Sequence, residues 1–250
     1  MAGHSHWAQI KRAKSAADAK RGQLFSKLAR EICIAAKLGG GDPTTNPRLR
    51  QAIHNARAES MPNDTIERAI KKGTGEIASE TIEELTYEGF SPGGAAIIVQ
   101  ANTDNKNRTA AEIRHLFTKH NGSLGTPGCV SWMFSQKGLI LLEGAALDED
   151  AVVAAAIDAG ADDVRPSAGG FEVLCSPERL YNTVESLRLA GFPVKKSQLA
   201  MIPTNTITIT DPTQATQVLK LLDALEDHDD VQNVFTNLEI PDDLLNTLQT

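Results

Sequence analysis

The chain has 250 residues, room for one large domain or for two to three small ones. Hydrophobic residues at 41% and charged residues at 23% exclude a disordered chain. The longest apolar runs, such as Gly138 to Leu142 and Ala151 to Ile157, fall far short of the roughly 20 residues that a membrane helix needs.

The net charge of −7 conceals a split: residues 1–75 hold 14 Lys+Arg against 6 Asp+Glu, whereas the remaining 175 hold 11 against 26. One end is therefore suited to a polyanion, and the acidic remainder repels phosphate.

Met1 to Gly22 reads as a mobile basic arm with little to bury apart from Trp7 and Ile10. From Gln23 to Leu38 the residues Leu24, Leu28, Ile32 and Ala35 recur at helical spacing, and Gly39-Gly40-Gly41 ends the helix. Asn46-Pro47 begins a second helix, with Asn as cap and Pro in the first turn, and Met61-Pro62 breaks it. A third helix opens at Asp64-Thr65-Ile66-Glu67, with capping-box spacing, and stops at Gly73. These three make a small helical domain over residues 23–78.

Beyond it the pattern alternates. A buried strand spans Ala95 to Ala101, a helix Asn107 to Lys119 and a further strand Val130 to Phe134. The order strand Leu139 to Leu142, helix Asp148 to Ala159, strand near Val164, strand Phe171 to Leu174, helix Pro177 to Ala190 and strand Leu199 to Ile202 is βαββαβ, the ferredoxin-like unit. Strand Thr206 to Thr210, helix Pro212 to Leu225 and strand Val231 to Phe235 lack a domain of their own, so they are expected to pair with the Ala95 to Phe134 segment. The expected fold is α+β in three domains: the helical one, a second built from 79–135 and 204–240, and a ferredoxin-like domain over 136–203 inserted within it. Residues 241–250 read as a tail.

The candidate phosphate contacts are Lys11, Arg12, Lys14, Lys20, Arg21, Lys27, Arg48, Arg50, Lys71 and Lys72, with Trp7 placed to stack on a base. Between a strand and a helix start, Thr103-Asp104-Asn105-Lys106-Asn107-Arg108-Thr109 has two readings. Lys106 and Arg108 beside free N–H groups would suit a phosphate, while a capping loop needs the same Asn and Thr residues. The capping reading is the stronger. With Met1 removed, Ala2-Gly3-His4 would offer a square-planar Cu(II) or Ni(II) site at His4, although membership of the basic arm explains the histidine more simply. The run Glu226-Asp227-His228-Asp229-Asp230 lacks the Gly and the distant Glu of a calcium loop and reads as a solvated helix end. No P-loop, zinc finger or clustered catalytic set is present, so no enzyme activity, cofactor or small-molecule substrate is expected. Cys33, Cys129 and Cys175 form no Cys-x-x-Cys pair, and Met1 to Arg12 has no apolar signal core, which points to the cytoplasm.

Met1 to Trp7, Asp18 to Gly22, Gly39 to Pro43, Asn46 to Arg50, Met61 to Asp64, Ile70 to Gly73, Tyr87 to Phe90, Pro92 to Gly94, Thr103 to Thr109 and Trp132 to Phe134, taken in order, closely resemble the YebC/PmpR family over nearly the whole chain. The resemblance implies a three-domain α+β fold and a DNA-binding transcriptional regulator. It also implies an alternative, a translation factor that binds ribosomal RNA, because mitochondrial relatives activate translation and some bacterial members are linked to stalled ribosomes. His6, Asn121 and Trp132 stand where Lys, Gly and Tyr are common in the family; the first weakens the basic arm and the other two read as structural. The resemblance brings no catalytic residues.

Overall fold

The computed structural model describes residues 19–78, 81–144, 147–167 and 169–248. Helix α1 (Ala19–Gly39) packs its Phe25, Leu28, Ile32, Ala35 and Ala36 against α2 (Pro47–Ala58) and α3 (Asn63–Gly73), which contribute Leu49, Ile53, Ile66 and Ala69. Because residues 19–22 are already helical, the expected arm ending at Gly22 overlaps α1; Ala, Lys, Arg, Gln and Leu around Gly22 favour helix enough to carry one glycine. Asn46 caps α2 as expected, accepting from Leu49 N at 3.1 Å, and its Nδ2 donates to Ala35 O and Gly40 O at 2.8 Å each. One buried amide thus satisfies the start of α2 and the end of α1 together.

One expectation for α3 is corrected and one sharpened. Pro62 occupies the cap position without a side-chain bond, and Asp64 lies inside the first turn, where its charge suits the helix dipole. The helix does end at Gly73, but Gly73 is its last helical residue, Thr74 takes the cap position and the left-handed glycine is Gly75. A Cβ on Gly73 would stand 2.2 Å from Cys33 O, so the missing side chain is what lets α3 cross α1.

Strand β1 (Glu83–Phe90) pairs antiparallel with β2 (Ala96–Thr103), from Glu83↔Thr103 to Phe90↔Ala96. Strand β1 was not expected, because its three glutamates depress strand propensity. Its pairing with the buried β2 overrides them. Helix α4 (Lys106–Lys119) and the short β3 (Ser123–Leu124), which pairs with β1, follow. The expected strand Val130 to Phe134 is instead a turn of 3₁₀-helix, Ser131–Met133. The buried Glu88 carboxylate takes the N–H groups of Gly128, Val130 and Ser131, which removes them from any ladder.

Strands β4 (Phe134–Glu143), β5 (Asp163–Ser167), β6 (Gly170–Cys175) and β7 (Val194–Pro203) lie in the order β5-β6-β4-β7, with helices α5 (Glu149–Asp158) and α6 (Leu180–Leu189). Strand β6 is antiparallel to β4 and β5, the ferredoxin-like arrangement. Ile140, Leu142, Val152, Phe171, Val173, Val184 and Leu187 fill its core. The described parts of residues 16–79 and 136–200 form one compact unit, in which Asn55 Nδ2 of α2 donates to Ser197 O of β7 at 3.2 Å.

The chain then supplies β8 (Ile207–Thr208), α7 (Pro212–Glu226), β9 (Val231–Thr236), β10 (Leu238–Glu239) and α8 (Asp242–Leu248). Strand β9 pairs antiparallel with β2 and completes the sheet β3-β1-β2-β9, so strands flanking the ferredoxin-like segment share one sheet. The expected Thr206 to Thr210 strand does not join it. Only Ile207–Thr208 is extended, and it pairs with β10, where Thr206 and Thr208 donate to the Glu239 carboxylate. Residues 242–248 are helical rather than a tail, because Leu245 is buried in the core with Ile97, Val99, Phe117, Val218 and Leu221. The described parts of residues 80–135 and 201–250 form the second compact unit. The fold is α+β.

Candidate nucleic-acid interface

His4, Trp7, Lys11, Arg12 and Lys14 lie outside the described residues. Lys20 and Arg21 fall within α1, with Arg21 exposed, and Lys27 is half-buried further along the same helix. Arg48 meets the Glu31 carboxylate through Nε at 2.9 Å and Nη2 at 3.2 Å, a bidentate pair between α2 and α1. Arg50 donates to Pro43 O and Thr44 O at 3.1 and 3.2 Å and braces the loop before α2. Lys71 and Lys72 are exposed in the last turn of α3. Lys37, which is absent from the expected set, lies in the last turn of α1. Burial pushes the Cys33 thiol pKa up, opposed by Lys72 and Lys37, and Gly73 packs against Cys33 and Ala36, so the stretches that carry Lys72 and Lys37 meet where α3 crosses α1. A signal was available: each lysine lies just before a helix-ending glycine, and α1 and α3 are neighbours.

The Thr103–Thr109 loop resolves into the capping arrangement. Asn105 caps α4 by accepting from Arg108 N at 3.1 Å, and its own N–H donates to Thr103 Oγ1 at 2.9 Å. Arg108 is engaged by Asp104 at 2.8 Å and by the buried Asp230 at 3.0 Å. Lys106 is exposed in the first turn of α4. Glu112, His228 and Asp230 bring potential metal-ligand atoms within 4.8 Å of one another. Their hydrogen bonds suit a network better than a cation. His228 Nδ1 accepts from Asp230 N at 3.1 Å, so the ring proton sits on Nε2 and faces Glu112 Oε2 at 2.9 Å. A metal at Nε2 would need the opposite tautomer.

Glu88 organises the loop that follows β3. Burial disfavours its charge, but the N–H groups of Val130, Gly128 and Ser131 and the Ser131 hydroxyl outweigh burial and hold its pKa below the ordinary value. A depressed folded pKa adds stability that is fully present above the unfolded carboxylate value of about 4.3 and is lost as pH falls through the lower folded value. Glu88→Gln should therefore cost about 1–3 kcal/mol at neutral pH, since its NH₂ would face N–H donors. Urea denaturation should show that gap narrowing below about pH 4. A gap that stays constant down to about pH 3 would contradict the anchoring role.

Together these features define a multidomain α+β protein with a lysine-bearing helical part and an acidic remainder. Two family models match: "TACO1/YebC protein N-terminal domain" over residues 5–76 and "TACO1/YebC second and third domain" over 82–238. The chain belongs to the TACO1/YebC family. It is 53% identical to a protein of Methylacidiphilum infernorum, with 98% of each chain covered, and 52% identical to one of Dictyoglomus turgidum, with 99% of this chain and 100% of that one covered. Both relatives are named "Probable transcriptional regulatory protein". The crystal structure of a conserved hypothetical protein from Aquifex aeolicus matches with a TM-score of 0.89 at 50% identity, covering 95% of this chain and 98% of that one. No helix among the described residues is long and apolar enough to cross a membrane.

Proposed function

We propose that the chain is a cytoplasmic regulator of transcription that binds DNA through its basic N-terminal third and acts by binding, with no catalytic step or cofactor. The observation that carries the reading is the packing of Gly73 against Cys33 and Ala36, which brings the end of α3, with Lys71 and Lys72, beside the stretch of α1 that leads to Lys37. These lysines belong to a segment with 14 Lys+Arg against 6 Asp+Glu, in a chain whose net charge is −7. Lysines on rigid helix ends, supplemented by Lys11, Arg12 and Lys14 of the arm, would neutralise backbone phosphates and release counterions. Such contacts position a duplex without reading its sequence. Arg48 and Arg108, already paired with carboxylates, belong to the scaffold in this reading. The names of the relatives favour transcription over the ribosomal alternative.

Salt-titrated binding to duplex DNA tests the proposal. Affinity should fall linearly on a log–log plot. Charge reversal at Lys71 and Lys72, or at Lys11, Arg12 and Lys14, should weaken binding on every sequence and flatten the slope by about 0.9 for each phosphate no longer neutralised. Salt-independent binding would sink the phosphate-contact basis. Co-sedimentation with ribosomes that DNA competitors leave intact would move the target to ribosomal RNA.

A further inference from the structure

Trp132 is 69% exposed, and every other exposed large hydrophobic among the described residues (Leu24, Leu38, Ile157, Leu189 and Leu199) lies in the other compact unit. An exposed indole normally turns through several rotamers. This one is fixed. Its Nε1–H donates to Cys129 O at 3.1 Å, and Cys129 lies within the turn that Glu88 anchors through Gly128, Val130 and Ser131. On the following side, Met133 O accepts both N–H and Oγ1–H of Thr204, at 2.8 and 2.9 Å. The ring's single polar group is used internally, so what it presents outward is a π face on a rigid mount.

The surroundings restrict what that face can take. Asn121 through Gln136 contains no Lys, Arg, Asp, Glu or His, and the Glu88 carboxylate that holds the loop is buried and covered by donors. A charged ligand would gain little from such a neutral loop. A single exposed ring, with no other exposed large hydrophobic among the described residues of its unit, is also far smaller than the roughly 800 Å² that a specific protein partner covers on each side. Its size and planarity match a single unpaired base. We infer that Trp132 is a stacking platform for one unpaired nucleobase, a contact separate from the lysine cluster. This rests on the nucleic-acid reading above and adds an unpaired base to the ligand.

The test uses the full chain and a single-stranded oligoadenylate, beside a fully paired duplex. Only two tryptophans are present, so Trp7→Phe leaves Trp132 as the sole indole reporter. Oligoadenylate should quench its emission. Trp132→Ala should weaken oligoadenylate binding by about 5- to 150-fold, the loss of one stacked base. Trp132→Phe should retain most of the affinity, and the salt slope should not change, because every phosphate contact stays in place. Duplex affinity should be unaffected. Oligoadenylate affinity and Trp132 emission that do not respond overturn the platform while leaving the lysine contacts standing. A wild-type protein that binds neither oligoadenylate nor duplex overturns both readings.

Discussion

Gly73→Ala is expected to destabilise the packing of α1 on α3 by at least about 3 kcal/mol, the upper range for overpacking a core. In an unobstructed helix the same change would stabilise by up to about 1 kcal/mol, because alanine is the better helix former. Geometry reverses the sign. The new Cβ would lie 2.2 Å from Cys33 O and 2.8 Å from Ala36 Cβ. A backbone carbonyl in the middle of α1 cannot swing aside as a side-chain tip can, so the helices must separate. The loss then reaches Leu49, Ile53, Ile66 and the rest of that small core. Gly75→Ala is the control, since a Cβ there meets nothing within 4 Å and only its positive φ of 82° is offended. That cost should stay near about 1–2 kcal/mol. Hydrogen exchange at the α1 and α3 amides, read beside DNA affinity, would check both. Gly73→Ala should expose those amides and weaken binding by dispersing Lys37 from Lys72. Equal protection in the two variants would refute the crossing argument.

Gly73 also shows where the sequence was legible and where it was not. Its position after an amphipathic run was clear, but a helix-ending glycine and a helix-crossing glycine look alike until the neighbouring helix is in place. Asn46 was legible because capping is local: the cap, the proline and the first turn all lie within a few residues of one another. Val130 to Phe134 was illegible for the opposite reason. The residue that bends it, Glu88, stands 42 positions from Val130, and nothing in Val-Ser-Trp-Met-Phe announces a remote carboxylate. Of the candidate site, the charge split was plain. The fate of each cation was not, because the bidentate Glu31–Arg48 pair spans 17 positions and the Asp230–Arg108 pair spans 122. A basic residue in a sequence shows a charge; only the fold shows whether that charge is already spent.

That distinction gives the second large effect, at Asp230. Its Oδ2 accepts from Thr109 Oγ1 at 2.7 Å, Arg108 Nη2 at 3.0 Å and Thr103 Oγ1 at 3.1 Å, with only 3% of the side chain exposed. Its backbone carbonyl accepts from Asn102 N at 2.8 Å, so the residue joins the end of β2, the start of α4 and the entry to β9. Asp230→Ala would leave the two buried threonine hydroxyls without this acceptor and remove one carboxylate from Arg108. Each buried hydroxyl that loses its acceptor costs about 1–3 kcal/mol. Arg108→Ala should cost far less, because Arg108 is 43% exposed and Asp230 keeps both hydroxyls. Urea denaturation of the two variants measures the difference. The same pair separates the two readings of the Thr103–Thr109 loop. Asp230 first and Asp104 second hold the Arg108 guanidinium charged and engaged, so a phosphate would have to displace carboxylates already within hydrogen-bonding distance. Arg108→Ala should therefore leave DNA affinity and its salt slope unchanged, while reversal of Lys71 and Lys72 lowers both. A salt slope that drops on losing Arg108 alone would return that residue to the phosphate-binding set and show that a bound polyanion can outcompete two carboxylates for one guanidinium.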